Sequence, residues 1–510
     1  MVRPRILLVV GVCVAIALAG VSATAFLVLN SRQAYPCGPQ SMVQKSHVSS
    51  DQFDAITEFN LPQDRSPNAI TVSPDGSVWF AELGVPALGH LYPVNGTLVE
   101  YRLPFRYPPA SSISAEGGCF DWTDTWGIAI WRGMVWASDQ DNGSLVGLHA
   151  GNDTFETIQL SSTSMPYTLV TGPDGHLWFT DLSQPARLGD VDPTTHRVSY
   201  HYLPSGANSA SAYLLFQNAT LGYVLSIFPY TGGAQLFSFD PSATSLSFET
   251  VGGSLTHLGS SGTAGNSSVP SAQGPSTPTS VAVGEGGLWL AVHSSSDMAF
   301  FNATAGRWIL YPTSTVPYIA YTLPYFDVSN GSVIWFNEHY GNRLGEICCH
   351  GGELTEYSFS DPPATEGTQI DNALTITQAQ DRVWFTEWTA NVVGFASTSY
   401  VPSFSIEPES ENDTTIAVQR GATTQIQVAV SGNSSEPLSF RFSDSEQPSG
   451  TPKNINFSAG QADISAFSGA QHFAISIRVS TETPPGPYMA LMTVTDGLVS
   501  RSVYIEIDVV

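Results

Sequence analysis

An all-β fold is predicted by three observations on the 510-residue chain. A tryptophan-bearing unit recurs along its middle, each copy reads as four short β-rich runs joined by turn signals, and helical periodicity is absent from the copies. After the last copy the pattern changes to plain period-two alternation. Together these predict a seven-bladed β-propeller over residues 54–398 and an immunoglobulin-like β-sandwich over 399–510. Residues 34–53 read as a linker and residues 1–33 as one membrane-spanning helix.

In chain order, Arg3 and Arg5 precede an uncharged run from Ile6 to about Asn30, and roughly 20 apolar residues suffice to cross a bilayer as a helix. The run is either a signal anchor or a cleaved signal peptide with its small-residue site at Ala23-Thr24-Ala25. Its length exceeds that of a signal h-region and favours the anchor. The positive-inside rule then places everything after about Gln33 outside the cell membrane.

The repeat begins with Pro67-Asn68-Ala69-Ile70-Thr71-Val72, Pro74-Asp75-Gly76, Val78-Trp79-Phe80-Ala81-Glu82, Leu88-Gly89 and Leu98-Val99-Glu100-Tyr101-Arg102-Leu103-Pro104. The same order returns in Pro166-Tyr167-Thr168-Leu169, Pro173-Asp174-Gly175, Leu177-Trp178-Phe179-Thr180-Asp181, Leu188-Gly189 and Tyr200-His201-Tyr202-Leu203-Pro204. Trp79, Trp136, Trp178, Trp289, Trp335 and Trp384 follow one another at intervals of 57, 42, 111, 46 and 49 residues. The long interval holds two units, so a degenerate copy is expected at about 211–250, around Tyr223-Val224-Leu225-Ser226. Asp-Gly turns join the first two strands of a unit as a hairpin. The copy at Trp384 lacks a fourth strand, whereas Ile56-Thr57-Glu58-Phe59-Asn60-Leu61-Pro62 is a fourth strand without a copy. The N-terminal strand is expected to complete the last blade and remove an open sheet edge. Beyond it, Thr423 to Val430, Ala474 to Val479 and Val503 to Val509 alternate as sandwich strands do, and Asp496-Gly497 marks a hairpin.

Composition narrows the function classes. Only 12% of residues are charged, and 44 acidic against 18 basic residues leave a net charge of −26. Nucleic acid is excluded as a partner, because its phosphates need cations to meet them. Aromatics at 11% supply more core than a disordered chain carries. Ten Asn-x-Ser/Thr triplets, at Asn95, Asn142, Asn152, Asn218, Asn266, Asn302, Asn330, Asn412, Asn433 and Asn456, agree with an exported glycoprotein, although a Ser/Thr-rich chain makes some of these by accident. Beyond Cys13 four cysteines remain, Cys37, Cys119, Cys348 and Cys349, which admit three pairings in an oxidising compartment. The expected pairing joins Cys37 with Cys119 and Cys348 with Cys349.

The unit Pro-x-x-Ile, Pro-Asp-Gly, x-Trp-Phe-x-Glu, x-x-Gly, Glu-Tyr-x-Leu-Pro closely resembles the repeat of the virginiamycin B lyase (streptogramin lyase) family over about residues 54–396. The resemblance implies a seven-bladed propeller. It also implies opening of a cyclic depsipeptide lactone by elimination, with magnesium and a histidine base at the start of an innermost strand. At the corresponding positions this chain carries Asn68, Trp126, Tyr167, Thr279 and Asn372, with Tyr321 in the sixth copy. None is histidine, and neither Asn, Thr nor neutral Tyr supplies a base of suitable pKa. The resemblance carries the fold and not the reaction.

Other residues are candidates for chemistry. An acid recurs three residues after the Trp, at Glu82, Asp139, Asp181, Glu338 and Glu387. A ring of such carboxylates suits Mg2+ or Ca2+; alternatively each acid pairs inside its own blade, Glu338 with Arg343 or Asp181 with Arg187. His293 and His339 stand four residues after their Trp in adjacent copies, with Glu338 beside the second. They are a candidate displaced acid/base or metal set, or else surface histidines without a role. The insertion from Phe105 to Asp124 should overhang the face of Trp126 and Tyr167. Trp122, Trp126, Tyr167, Asn68 and Asn372 then form an aromatic and amide mouth suited to sugars or other flat amphipathic ligands. Packing of a long loop onto the propeller is the plainer reading.

The expected protein is a membrane-anchored extracellular binding or adhesion protein whose propeller meets a cell-surface protein, a glycan or a small ligand. The competing expectation is a C-O lyase or hydrolase of streptogramin-lyase type, with a relocated, metal-assisted site at His293, Glu338 and His339. A component of a cell-surface layer is a third.

Overall fold

The computed structural model describes residues 35–36, 43–104, 118–119, 125–206, 208–228, 233–255, 278–284, 286–292, 297–304, 306–314, 324–329, 331, 333–339, 341–348, 352–360, 373–410, 414–444, 455–461 and 463–510. The expected anchor at 1–33 lies outside the described residues, as do Cys37, Trp122, His293, Tyr321, Cys349, Asn372 and the sequons at Asn266, Asn330 and Asn412. Among the described residues no helix is long and apolar enough to cross a membrane.

Among the described residues every regular element is a strand. Among the described residues antiparallel meanders occupy 67–102, 128–159, 166–202, 210–254, 278–312, 324–358 and 373–397. The seventh contributes only three strands of its own and takes Ile56–Asn60 as its fourth, paired to Val392–Ser397. First strands of successive meanders touch one another in order, and Ala373–Ala379 touches Pro67–Val72, so the series closes on itself. The chain is a β-propeller, and its meanders are the blades. Residues 210–254 supply the degenerate blade that the long Trp interval required.

The repeat has a packing reason at each of its positions. Trp79, Trp136, Trp178, Trp289, Trp335 and Trp384 are all buried, and each reaches its neighbour: Trp136 packs with Leu169, Leu177 and Phe179 of the next blade, and Trp384 with Phe59, Ile70 and Phe80 across the closure. A buried aromatic of 150–250 Å² contributes about 4–6 kcal/mol at ~25 cal/mol per Å². In the degenerate blade Tyr223 takes this place, packed with Val281 and Leu290. The Phe after the Trp lies opposite a glycine on the third strand, as in Phe80 with Gly89, Phe179 with Gly189, Phe336 with Gly345 and Phe385 with Gly394. A Cβ at any of these glycines would collide with the ring. Gly76 and Gly175 close the Asp-Gly hairpins at φ of 83° and 79°, where a side chain is strained.

Part of the stretch expected as a linker is strand. Val43–His47 adds to the outer edge of the first blade and Ser50–Phe53 to the outer edge of the seventh. Tyr35–Pro36 pairs with Gly118–Cys119 of the insertion.

Residues 404–509 form two sheets with a common core. One runs Phe404–Pro408, Thr423–Ser434, Phe467–Val479, Ile455–Ala459. The other joins Leu438–Asp444, Gly486–Thr495 and Val499–Val509, with Thr415–Val418 parallel to the last. Val428, Val430, Ile475 and Ile477 of the first meet Met492, Val494, Ile505 and Ile507 of the second. This unit is not a free-standing spacer. Val499–Val509 pairs antiparallel with Glu353–Ser358, the outer strand of the sixth blade, so blade and sandwich share one continuous nine-stranded sheet.

Candidate functional site

The first strand of each blade starts on one face of the ring, and the side chains there link blade to blade. Asn68 Nδ2 donates to the Thr125 carbonyl at 3.1 Å, Ser138 Oγ to the Tyr167 carbonyl at 3.1 Å, and Thr168 Oγ1 to the Ala212 carbonyl at 2.9 Å. On the other side Asn337 Nδ2 donates to the Ala373 carbonyl at 2.7 Å and Thr375 Oγ1 to the Asn68 carbonyl at 2.6 Å. These bonds fix the geometry of the mouth.

Three of the expected ligand residues come together. Trp126 and Tyr167 lie ring to ring at 5.3 Å, on adjacent blades, and Asn68 is held one blade away through Thr125. Ser138 secures the pair by accepting from Gly127 N at 2.8 Å while bonding the Tyr167 carbonyl. In this sector Asn68 Oδ1, Thr125 Oγ1, Trp126 Nε1 and both amide atoms of Gln140 are buried without a hydrogen-bond partner among the described residues. Buried polar atoms normally have a partner, so these atoms mark where a ligand or a group outside the described residues would bond. Thr125 and Gln140 were not singled out from the sequence, where they are ordinary polar residues beside a Trp and an Asp. Trp122 and Asn372 lie outside the described residues.

The recurring acids do not form the expected cation ring. Among the described residues no group of three His, Cys, Asp or Glu side chains is placed to hold a metal ion. All five acids are buried, and Asp181 and Asp139 bond within their own blades. Asp181 pairs with Arg187 at 2.9 Å and accepts from Met165 N and Ser183 N, both at 2.9 Å. Asp139 accepts from Ser144 Oγ at 3.0 Å and from Asn142. Glu82 sits 3.7 Å from Arg65, which also binds Glu100. Glu387 is buried opposite Ala373 and Val392.

The Glu338 and His339 pair is placed differently from its expected role. Burial, with the Glu356 carboxylate beside it, raises the Glu338 pKa well above the usual range, and Arg343 opposes the rise. Arg343 itself lies 3.4 Å from Glu356. His339 is buried between blades, its Nδ1 3.2 Å from the Ala373 carbonyl, and burial lowers its pKa to about 4. At neutral pH this sealed imidazole is uncharged and a weak base. His293, the other member of the expected pair, lies outside the described residues.

Of the sequons, Asn95, Asn142, Asn152, Asn218, Asn433 and Asn456 are exposed and Asn302 is half-buried. Cys348 Sγ lies 3.9 Å from Glu353 Oε2. Tyr35 pairs with Cys119 and Pro36 with Gly118, and Cys37 lies outside the described residues.

The fold and this mouth define a β-propeller whose blades close over an amide and aromatic entrance. No protein-family model matches the chain, and no curated protein matches it. Among solved structures the chain is similar to virginiamycin B lyase from Staphylococcus aureus, at 18% identity, covering 67% of this chain and 98% of that one, with a TM-score of 0.48. A streptogramin B lyase structure aligns at 20% identity over 67% of this chain and 96% of that chain, TM-score 0.48. A structure described as YCF48 bound to D1 peptide aligns at 10% identity over 69% of this chain and 100% of that chain, TM-score 0.46. The propeller assignment rests on the blades and their ring of contacts.

Proposed function

We infer that the protein is a membrane-anchored extracellular binding or adhesion protein, in which a seven-bladed propeller is the platform for a ligand or partner. The C-terminal unit is read as an immunoglobulin-like sandwich. Its strand order supports this, as does Tyr488, whose hydroxyl donates to the Pro484 carbonyl at 2.7 Å, the corner bond typical of such domains.

One observation carries the binding reading: the mouth brings the Trp126 and Tyr167 rings together beside Asn68, and Asn68 Oδ1 and Trp126 Nε1 have no hydrogen-bond partner among the described residues. The ring pair offers flat apolar area, and the amides and the hydroxyl of Thr125 match hydroxyl- or amide-bearing ligands such as glycans. A lyase built on Glu338 and His339 has less support, because both are buried and His339 is held uncharged as a weak base. Screening the detergent-solubilised full chain against glycan and peptide libraries tests the reading. A ligand retained by the wild type and lost from both Trp126→Ala and Tyr167→Ala supports it. Lactone-opening activity that disappears in His339→Ala overturns it in favour of the lyase.

A further inference from the structure

Among the described residues the exposed sequons are not spread evenly over the two faces of the ring. Each blade starts its first strand on the face of Asn68, Trp126 and Tyr167, so in an antiparallel meander the turns joining strands one to two and three to four lie on the opposite face. Asn95 lies between Ala87–Tyr92 and Thr97–Arg102, and Asn152 between Ser144–His149 and Thr154–Gln159. Asn218 ends Ala210–Asn218, before Leu221–Ile227. All three belong to the far face and are exposed.

They also share one local geometry. Asn95 Oδ1 accepts from Thr97 N at 3.0 Å. Asn152 Oδ1 accepts from Thr154 N at 3.3 Å and its hydroxyl at 2.6 Å. Asn218 Oδ1 accepts from Thr220 N at 2.9 Å and its hydroxyl at 3.1 Å. In each case the oxygen end of the amide is tied to the third residue of the sequon by an Asx-type turn, and the nitrogen end takes no part in these bonds. Asn142 differs on both counts. It lies between Met134–Asp139 and Ser144–His149, on the mouth face, and its Nδ2 donates to the two oxygens of Asp139 at 3.1 and 2.9 Å.

We propose that, within the ring, N-linked glycans are carried on the far face, at Asn95, Asn152 and Asn218, while Asn142 on the mouth face stays bare. The inference rests on the reading that this part of the chain is exported. The co-reactant is a lipid-linked sugar phosphate or pyrophosphate used by a separate transferase. The asparagine Nδ2 bonds to C1 of the sugar, the C1–O bond to phosphate breaks with its electron pair leaving on the phosphate, and the amide loses one proton. Asn142 must first give up both bonds to a buried carboxylate. The result is a sugar coat on one side of the ring and an uncovered mouth on the other.

The test is mass spectrometry of glycopeptides from the full-length protein purified from membranes of its own cells, alongside protease accessibility of the chain on intact cells. Sugar on the peptides of Asn95, Asn152 and Asn218 with an unmodified Asn142 peptide is the expected result. The variants N95Q, N152Q and N218Q should each lose the mass of one glycan. Sugar on Asn142 as frequent as on the other three overturns the one-face inference and leaves export standing. A chain accessible on intact cells but bare at all four sites overturns the inference alone. A chain that is bare and inaccessible overturns the export reading as well.

Discussion

The Tyr504 hydroxyl, on the last strand of the chain, donates to the Pro312 carbonyl at 2.9 Å, at the end of the outer strand of the fifth blade. Tyr504 also meets Tyr311 edge-on, with centroids 5.0 Å apart and planes at 90°. The strand that extends the sixth blade therefore also seals the fifth. Tyr504→Phe leaves a buried carbonyl without its donor and should cost about 1–2 kcal/mol, read as a lower urea midpoint at unchanged slope.

Glycine on the third strand is required by the Phe opposite it. Gly189→Ala should destabilise the third blade by about 1–3 kcal/mol through overpacking against Phe179, and Trp178→Ala by about 3–5 kcal/mol through the cavity left between two blades. Thermal unfolding of the variants checks both. Combining Gly189→Ala with Phe179→Leu should recover part of the loss, because the clash partner has shrunk.

Arg343 is the counter-charge of a buried carboxyl pair. Arg343→Met leaves Glu338 and Glu356 without it and should cost about 3–5 kcal/mol at neutral pH. Part of that loss should return on acidification, since the uncharged form of Glu338, which burial favours, is then complete. Glu338→Gln should be far milder, because burial already favours the uncharged form. Denaturant midpoints measured at neutral and acid pH separate the two variants.

His339 and His90 are both held uncharged by burial, with pKa lowered from 6.5 to about 4. The unfolded chain binds protons on these imidazoles at higher pH than the folded chain does. Their contribution is therefore complete above about pH 6.5 and lost as pH falls towards 4, by about 3 kcal/mol for each. Glu82 and Glu338 act in the opposite sense: their raised pKa favours the folded state at low pH and costs stability as pH rises above the ordinary carboxylate range. A His339→Gln variant should lose less stability than the wild type between pH 6.5 and 4, as read from chemical denaturation at each pH.

Much of the ring was legible in the sequence because its cause is local and repeated: a Trp that reaches the next blade, a Phe that needs a Gly, a turn that needs positive φ. The unpaired strand at Ile56-Thr57-Glu58-Phe59-Asn60 could be matched to its distant blade by pattern alone. The pairing of Val499–Val509 with Glu353–Ser358 could not, because sheet edges join through backbone groups that carry no residue signature. The candidate site was legible only in part. Position in the repeat located Asn68, Trp126 and Tyr167, whereas the roles of Thr125 and Gln140 depend on hydrogen-bond accounting that needs coordinates. The acids admitted two readings, since a residue repeated to satisfy each blade separately looks in sequence like a residue repeated to build one shared ring, and for Asp181 the structure shows the pairing with Arg187.

The strand Ile56–Asn60 is made early and its partners at 373–397 late. A ribosome therefore releases more than 300 residues before the seventh blade can be assembled, and the sixth remains without its outer partner until Val499–Val509 has emerged. Throughout synthesis two raw sheet edges stay open to any other chain nearby, the circumstance in which nascent β proteins pair wrongly. The edges at Val392–Ser397 and Glu353–Ser358 are therefore the places where an unfinished chain is open to mispairing.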